Sequence, residues 1–162
     1  MNSPVVRIEL KRADVSQLVK GDPVLAACDF IKTLGRWADP IWGLSIARRF
    51  PQGTVLFQVN DGTDALMFVL RGQLRLMARK GTDMVDVGVA GPGEVAGEAE
   101  ALAGGARRSS AVAAAPSDVV EIPRTAVIGL LGRCPDLKTY LESVKRKRGE
   151  SLDEMTDFLN RW

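Results

Sequence analysis

The sequence predicts an α+β fold: an antiparallel β sandwich or barrel, preceded by helices and followed by one long helix. Three observations carry this. Between Ile46 and Pro123 short apolar runs recur between glycine-bearing turns, with no helical pattern of roughly 10–15 residues between them, which disfavours a doubly wound parallel sheet. Before them, Leu25, Cys28, Ile31 and Leu34 recur at three-residue spacing. After them, Leu137, Leu141, Val144, Arg148, Leu152, Met155 and Leu159 step by fours and threes.

Taken in order, the first helix is expected to start at Asp22-Pro23, an N-cap with proline at the first helical position. Asp39-Pro40 breaks the pattern, and Trp37, Ile41, Trp42 and Leu44 carry it onto the next element. Thr54 to Phe57 then reads as a strand after the Pro51-Gln52-Gly53 turn, and Ala65 to Leu70 as a strand between Asp61-Gly62 and Arg71-Gly72. From Gln73 to Arg79 the residues alternate, Leu74, Leu76 and Ala78 facing one way and Arg75, Met77 and Arg79 the other. Lys80-Gly81 turns the chain into Met84, Val85 and Val87, and two more strands lie between Ser110 and Ile122, around Pro116-Ser117-Asp118. A short helix over Thr125 to Leu131 ends at Gly132, and a long one opens at Cys134-Pro135-Asp136 and runs to about Asn160. Three units are expected: residues 1–45 as an N-terminal helical segment, 46–134 as the β unit with short helices, and 135–162 as the long helix, which is expected to mediate self-association.

Composition narrows the function. Hydrophobic residues at 46% and charged residues at 26% fit a globular chain, and 22 basic against 20 acidic side chains are too balanced to argue for nucleic acid. There is no histidine, which excludes His-based metal sites, triads and imidazole-held haem. Cys28 and Cys134 are too few for an iron–sulfur cluster and form no CxxC motif, and free thiols in a reducing compartment are expected. No signal peptide or apolar run of ~20 residues is visible, so no membrane association and a cytoplasmic location are expected. No nucleophile–base pair or metal-ligand set stands out, so the chain is read as not an enzyme and as needing no cofactor.

The chemistry-bearing run is Gly93-Glu94-Val95-Ala96-Gly97-Glu98, followed ten residues on by Arg107-Arg108-Ser109-Ser110-Ala111. A Gly-Glu turn opening a short helix, with an Arg-Ser pair on the next strand, brings a carboxylate, backbone N–H groups and a guanidinium together. That set suits a ribose carrying a phosphate.

With Pro51 to Phe57, Phe68-Val69-Leu70-Arg71-Gly72-Gln73-Leu74 and Pro135-Asp136-Leu137 in the same order, the chain resembles the cyclic nucleotide-binding domain. In particular it resembles the sensor half of catabolite activator (CRP/FNR-type) regulators. The resemblance implies an antiparallel β jelly roll with N-terminal helices and a long C-terminal dimerisation and capping helix. It implies that Gly97 permits close backbone approach, Glu98 takes the ribose 2′-hydroxyl, Arg108 pairs with the cyclic phosphate and Ser109 adds a hydroxyl. Ala99 stands where a large aliphatic is usual, followed by Glu100, a second carboxylate that is unhelpful beside a phosphate unless it faces solvent. Arg107 would replace Arg108 if the loop followed relatives with a shorter one. Leu76 and Ala90 are placed beside the base, Ser109 and Ser110 as hydrogen-bonding groups for a guanine, and Arg148, Ser151, Leu152 and Asp153 on the capping helix, with Gly149-Glu150 as a hinge.

The expected function is a non-catalytic cyclic nucleotide sensor, for cAMP or cGMP, that signals as a homodimer through its C-terminal helix to a protein partner. The alternatives are a ligand-free scaffold with a degenerate pocket, or a cyclic di-GMP effector, for which Arg107 and Arg75 are the visible candidates. The chain stops at Trp162, where such regulators continue into a helix-turn-helix, so DNA binding is not expected of it. The cluster Lys145-Arg146-Lys147-Arg148 reads as a solvated helix face.

Overall fold

The computed structural model describes residues 6–7, 12–62 and 65–160. After strand β1 (Val6–Arg7) come helices α1 (Arg12–Gly21), α2 (Pro23–Ala27) and α3 (Asp29–Leu34), a 3-10 turn at Gly35–Trp37, and α4 (Ala38–Trp42). Asp22 caps α2 as expected, accepting from the N–H groups of Val24 at 2.9 Å and Leu25 at 3.2 Å. Two sequence expectations need correction here. Helix begins at Arg12 rather than Pro23, and the Leu25–Leu34 stripe is not one helix, because Cys28 is extended (φ −69°, ψ 152°) and separates α2 from α3. The break lets Cys28 sit against Gly93, where an added Cβ would come within 2.8 Å of the Cys28 Cβ.

The β unit runs β2 (Ile46–Phe50), β3 (Val55–Phe57), β4 (Ala65–Arg71), β5 (Leu74–Lys80), β6 (Asp83–Ala90) and β7 (Val95–Ala96). Helix α5 (Glu98–Ala103) interrupts it before β8 (Ser109–Ala113) and β9 (Ser117–Pro123). Helices α6 (Arg124–Leu131) and α7 (Pro135–Asn160) complete the described chain. Among the described residues the strands form two antiparallel sheets, ordered β1-β2-β9-β4-β7 and β3-β8-β5-β6, which face each other as a jelly-roll sandwich.

Strand β4 explains the layering. All of Ala65 to Leu70 is buried, the unbroken apolar run of a strand covered on both faces. Met67 and Val69 point into the sandwich with Phe50, Phe57, Leu74, Leu76 and Val119. Leu66, Phe68 and Leu70 point the other way, into a second core with Leu25, Phe30, Trp42, Val127, Leu137 and Leu141 from the helices. The Phe68 ring lies 5.0 Å from Phe30 and 5.6 Å from Trp42, centroid to centroid, so it joins the N-terminal helices to the sheet. Phe30 in turn meets Tyr140 of α7 at 5.9 Å. Helix α7 is thereby held over the open side of the sandwich, against α5 and β6.

No helix among the described residues is long and apolar enough to cross a membrane.

Candidate functional site

The site grows from the junction of β7, α5 and β8. Gly97 caps α5 at φ +84°, a left-handed conformation that a residue with a Cβ resists. A Cβ there would also collide with Nη1 of Arg107, so the missing side chain makes room for a guanidinium of this chain itself, a reason the sequence does not disclose. Helix α5 then delivers two carboxylates, Glu98 and Glu100, that are only 5% and 2% exposed. Each meets an arginine, as buried carboxylates must.

Glu98 accepts from Nη1 of Arg148 on α7, at 2.5 Å, and the other terminal nitrogen of that guanidinium donates to the Val95 carbonyl at 2.7 Å. Burial pushes the Glu98 carboxyl up from its ordinary value; Arg148 pulls it down and neighbouring Glu100 adds to the rise. Glu100 accepts the backbone N–H of Arg108 at 2.6 Å and lies 3.6 Å from Nη1 of Arg107. Arg107 is buried over the Phe57 ring, 4.1 Å from its centroid, and donates to the Ala65 carbonyl at 2.6 Å. The Arg108 side chain, by contrast, is exposed.

Above these groups is a cavity of about 210 Å³ lined by Leu76, Gly97, Glu98, Ala99, Arg108, Ser109 and Arg148, with Glu100, Ala78, Val87, Lys145 and Gly149. Leu76, Gly97, Glu98, Ala99, Arg108, Ser109 and Arg148, all singled out from the sequence, are therefore brought together, and Glu100 and Gly149 with them. Ser110 and Ala90 are not placed there. The Ser110 hydroxyl accepts the N–H of Val59 at 3.0 Å, Ala90 is packed inside the sandwich, and the side chain of Leu152 lies outside the described ones. Ser151 and Asp153 lie outside them in the same way. Arg75 is committed elsewhere, to Asp86 through two hydrogen bonds across the β5–β6 hairpin.

Sequence reasoning missed the lining role of Val87. The register between β5 and β6 slips after Leu76, which pairs with Gly88 while Met77 pairs with Asp86, so Val87 is the extra residue of a bulge. Val87 and Arg148 also line a neighbouring cavity of about 470 Å³, bounded by Cys28, Asp29, Glu94 and Tyr140. Among the described residues no group of three His, Cys, Asp or Glu side chains could hold a metal ion.

Residues 47–134 match the model of the cyclic nucleotide-binding domain. The chain belongs to that family. It is 31% identical over 114 residues to the cyclic AMP receptor protein of Thermus thermophilus, covering 70% of this chain and 53% of that protein. The crystal structure of the Thermus thermophilus catabolite activator protein superposes with a TM-score of 0.66 at 28% identity, over 81% of this chain and 62% of that one. The sensor domain of the transcriptional regulator DNR from Pseudomonas aeruginosa also gives 0.66, at 14% identity, over 88% of this chain and 94% of that domain, a likeness of fold. This chain thus spans about half the length of the Thermus receptor protein, 53%. The family is defined by a nucleotide-binding domain rather than a catalytic one, and the chain is CRP-like in fold and family.

Proposed function

We propose that this chain is a non-catalytic, cytoplasmic cyclic nucleotide sensor, with cAMP as the first candidate ligand and cGMP as the second. One observation carries the reading: a single cavity gathers Gly97, Glu98, Arg108 and Ser109 beneath Arg148 of the long helix. Glu98 supplies an acceptor for ribose hydroxyls, while the exposed guanidinium of Arg108 and the hydroxyl of Ser109 are donors for a phosphate. Leu76 and Val87 offer apolar surface to a purine. Because α7 contributes Arg148, Lys145 and Gly149 to the walls, a ligand that displaces them changes how α7 sits, and such a change signals only through differential affinity for the two arrangements. Homodimerisation along α7 and a protein partner that reads its position complete the proposal.

A second reading, a scaffold that binds no nucleotide, is favoured by one fact: both site carboxylates are already paired within the chain. Thermal unfolding with cAMP, cGMP and cyclic di-GMP at millimolar concentration separates the two. A ligand at about 100 times its dissociation constant adds roughly 2.7 kcal/mol, which for a domain of this size raises Tm by roughly 5–10 °C. The sensor reading expects that rise with cAMP or cGMP and its loss in Arg108→Ala. No rise with any of the three leaves the scaffold.

A further inference from the structure

The second carboxylate of α5 has a position that the ribose–phosphate cassette does not require. Glu100 is 2% exposed and lines the same cavity as Glu98, Arg108 and Ser109. One of its oxygens takes the N–H of Arg108 and the other faces the buried guanidinium of Arg107. A backbone N–H at the head of a strand and an adjacent guanidinium are the pair of donors that an incoming phosphate would seek. Here an anion of the chain itself has taken them. A phosphate arriving at Arg108 and Ser109 also meets two carboxylates, Glu98 and Glu100, in the wall of the same cavity.

We propose that Glu100 is a specificity-determining residue, a tethered anion that fills the anion seat between Arg107 and the Arg108 N–H and discriminates against the phosphate charge of the ligand. This rests on the sensor reading and refines it. The pocket accepts the base and ribose through Leu76 and Glu98, and Glu100 sets how much the phosphate adds. The wild-type chain accordingly prefers cyclic AMP over adenosine, its uncharged counterpart, by less than about tenfold, and neutralising Glu100 widens that preference.

The test is calorimetric titration of the full chain with cyclic AMP and with adenosine, for wild type and for Glu100→Gln, which keeps an oxygen for the Arg108 N–H and removes the charge. The expected result is about tenfold or more tighter cyclic AMP binding in the variant, a change of at least 1.4 kcal/mol, with adenosine affinity changed by less than about threefold. Removing the partner of a buried arginine endangers folding, so the wild-type pair of titrations is a test that needs no variant. Cyclic AMP affinity that is unchanged or weaker in a folded Glu100→Gln overturns the inference and leaves the sensor reading intact. So does a wild-type preference for cyclic AMP over adenosine of more than about tenfold. Absence of binding by either ligand to either protein overturns the sensor reading and this inference with it.

Discussion

Replacing Arg148 by Met removes a guanidinium from between two elements while keeping its aliphatic stem. The side chain bridges α7 to the Glu98 carboxylate and the Val95 carbonyl, with the arginine side chain 16% exposed and that of the glutamate 7%. Breaking a buried ion pair by deleting one partner costs about 3–5 kcal/mol. The residual exposure of Arg148 puts this case at the low end, about 3 kcal/mol, or a fall in Tm of roughly 6–12 °C. The cost depends on pH, with a definite sign. Burial raises the Glu98 pKa in the folded state above its reference of 4.5. The folded form thus holds this proton more firmly than the unfolded one, and stability falls as pH rises from the unfolded value through the folded one. Arg148 opposes that rise, so its loss moves the folded value further up and deepens the penalty on the alkaline side. At about pH 4, below the 4.5 reference, Glu98 is mostly protonated in both states and the deficit shrinks toward that of the lost charged hydrogen bond at the Val95 carbonyl, about 1.5 kcal/mol. Urea unfolding of both proteins at about pH 4 and about pH 7.5 measures this directly. A deficit equal at the two pH values, or none at neutral pH, would show that Glu98 and Arg148 are not paired in solution.

Two further substitutions test the parts around that pair. Gly97→Ala forces a Cβ into a φ of +84° and onto the Arg107 guanidinium; left-handed strain of about 1–2 kcal/mol and overpacking of about 1–3 kcal/mol predict a loss of roughly 2–5 kcal/mol by urea unfolding. Gly149→Ala meets no atom within 4 Å and sits inside α7, so it should stabilise by up to about 1 kcal/mol. If α7 bends at that glycine on binding, the ligand-dependent change in hydrogen exchange over residues 145–160 shrinks in the variant; an unchanged response removes Gly149 as the hinge.

Much of the fold is written in local patterns. The unbroken apolar run Ala65 to Leu70 reads as a strand covered on both faces, and the alternation from Leu74 to Arg79 fixes which side of β5 faces the interior. Asp22-Pro23, Gly132 and Pro135 punctuate helices where the structure begins or ends them. Helix α1 was also legible, since Val15, Leu18 and Val19 share a face ahead of Gly21, and an apolar pattern begun only at Pro23 passes over it. The extended residue at Cys28 is different in kind. It brings Cys28 against Gly93, a residue far away in sequence, and no local pattern records that contact.

The site divides along the same line. A Gly-Glu turn and an Arg-Ser pair are chemical types, and their presence shows in the letters. Which arginine turns inward does not, because strand side chains alternate and a shift of one residue exchanges Arg107 with Arg108. That choice is made by the Gly104–Gly105 loop, with φ of +72° and +87°, and by the Phe57 ring that receives the buried guanidinium. The two carboxylates pose the same difficulty. Glu98 and Glu100 are two positions apart, a spacing that places residues on different faces of a regular helix, and yet both are buried. They can be buried together because α5 is enclosed: Arg107, in the loop ahead of β8, closes one side of it, and Arg148 of α7 closes the other. A charged residue beside a phosphate motif reads as solvent-facing until the helix that covers it is in view, and that helix begins more than thirty residues further along the chain, at Pro135. Position in the pocket is thus settled by long-range packing, while the capacity for nucleotide chemistry is settled by residue type.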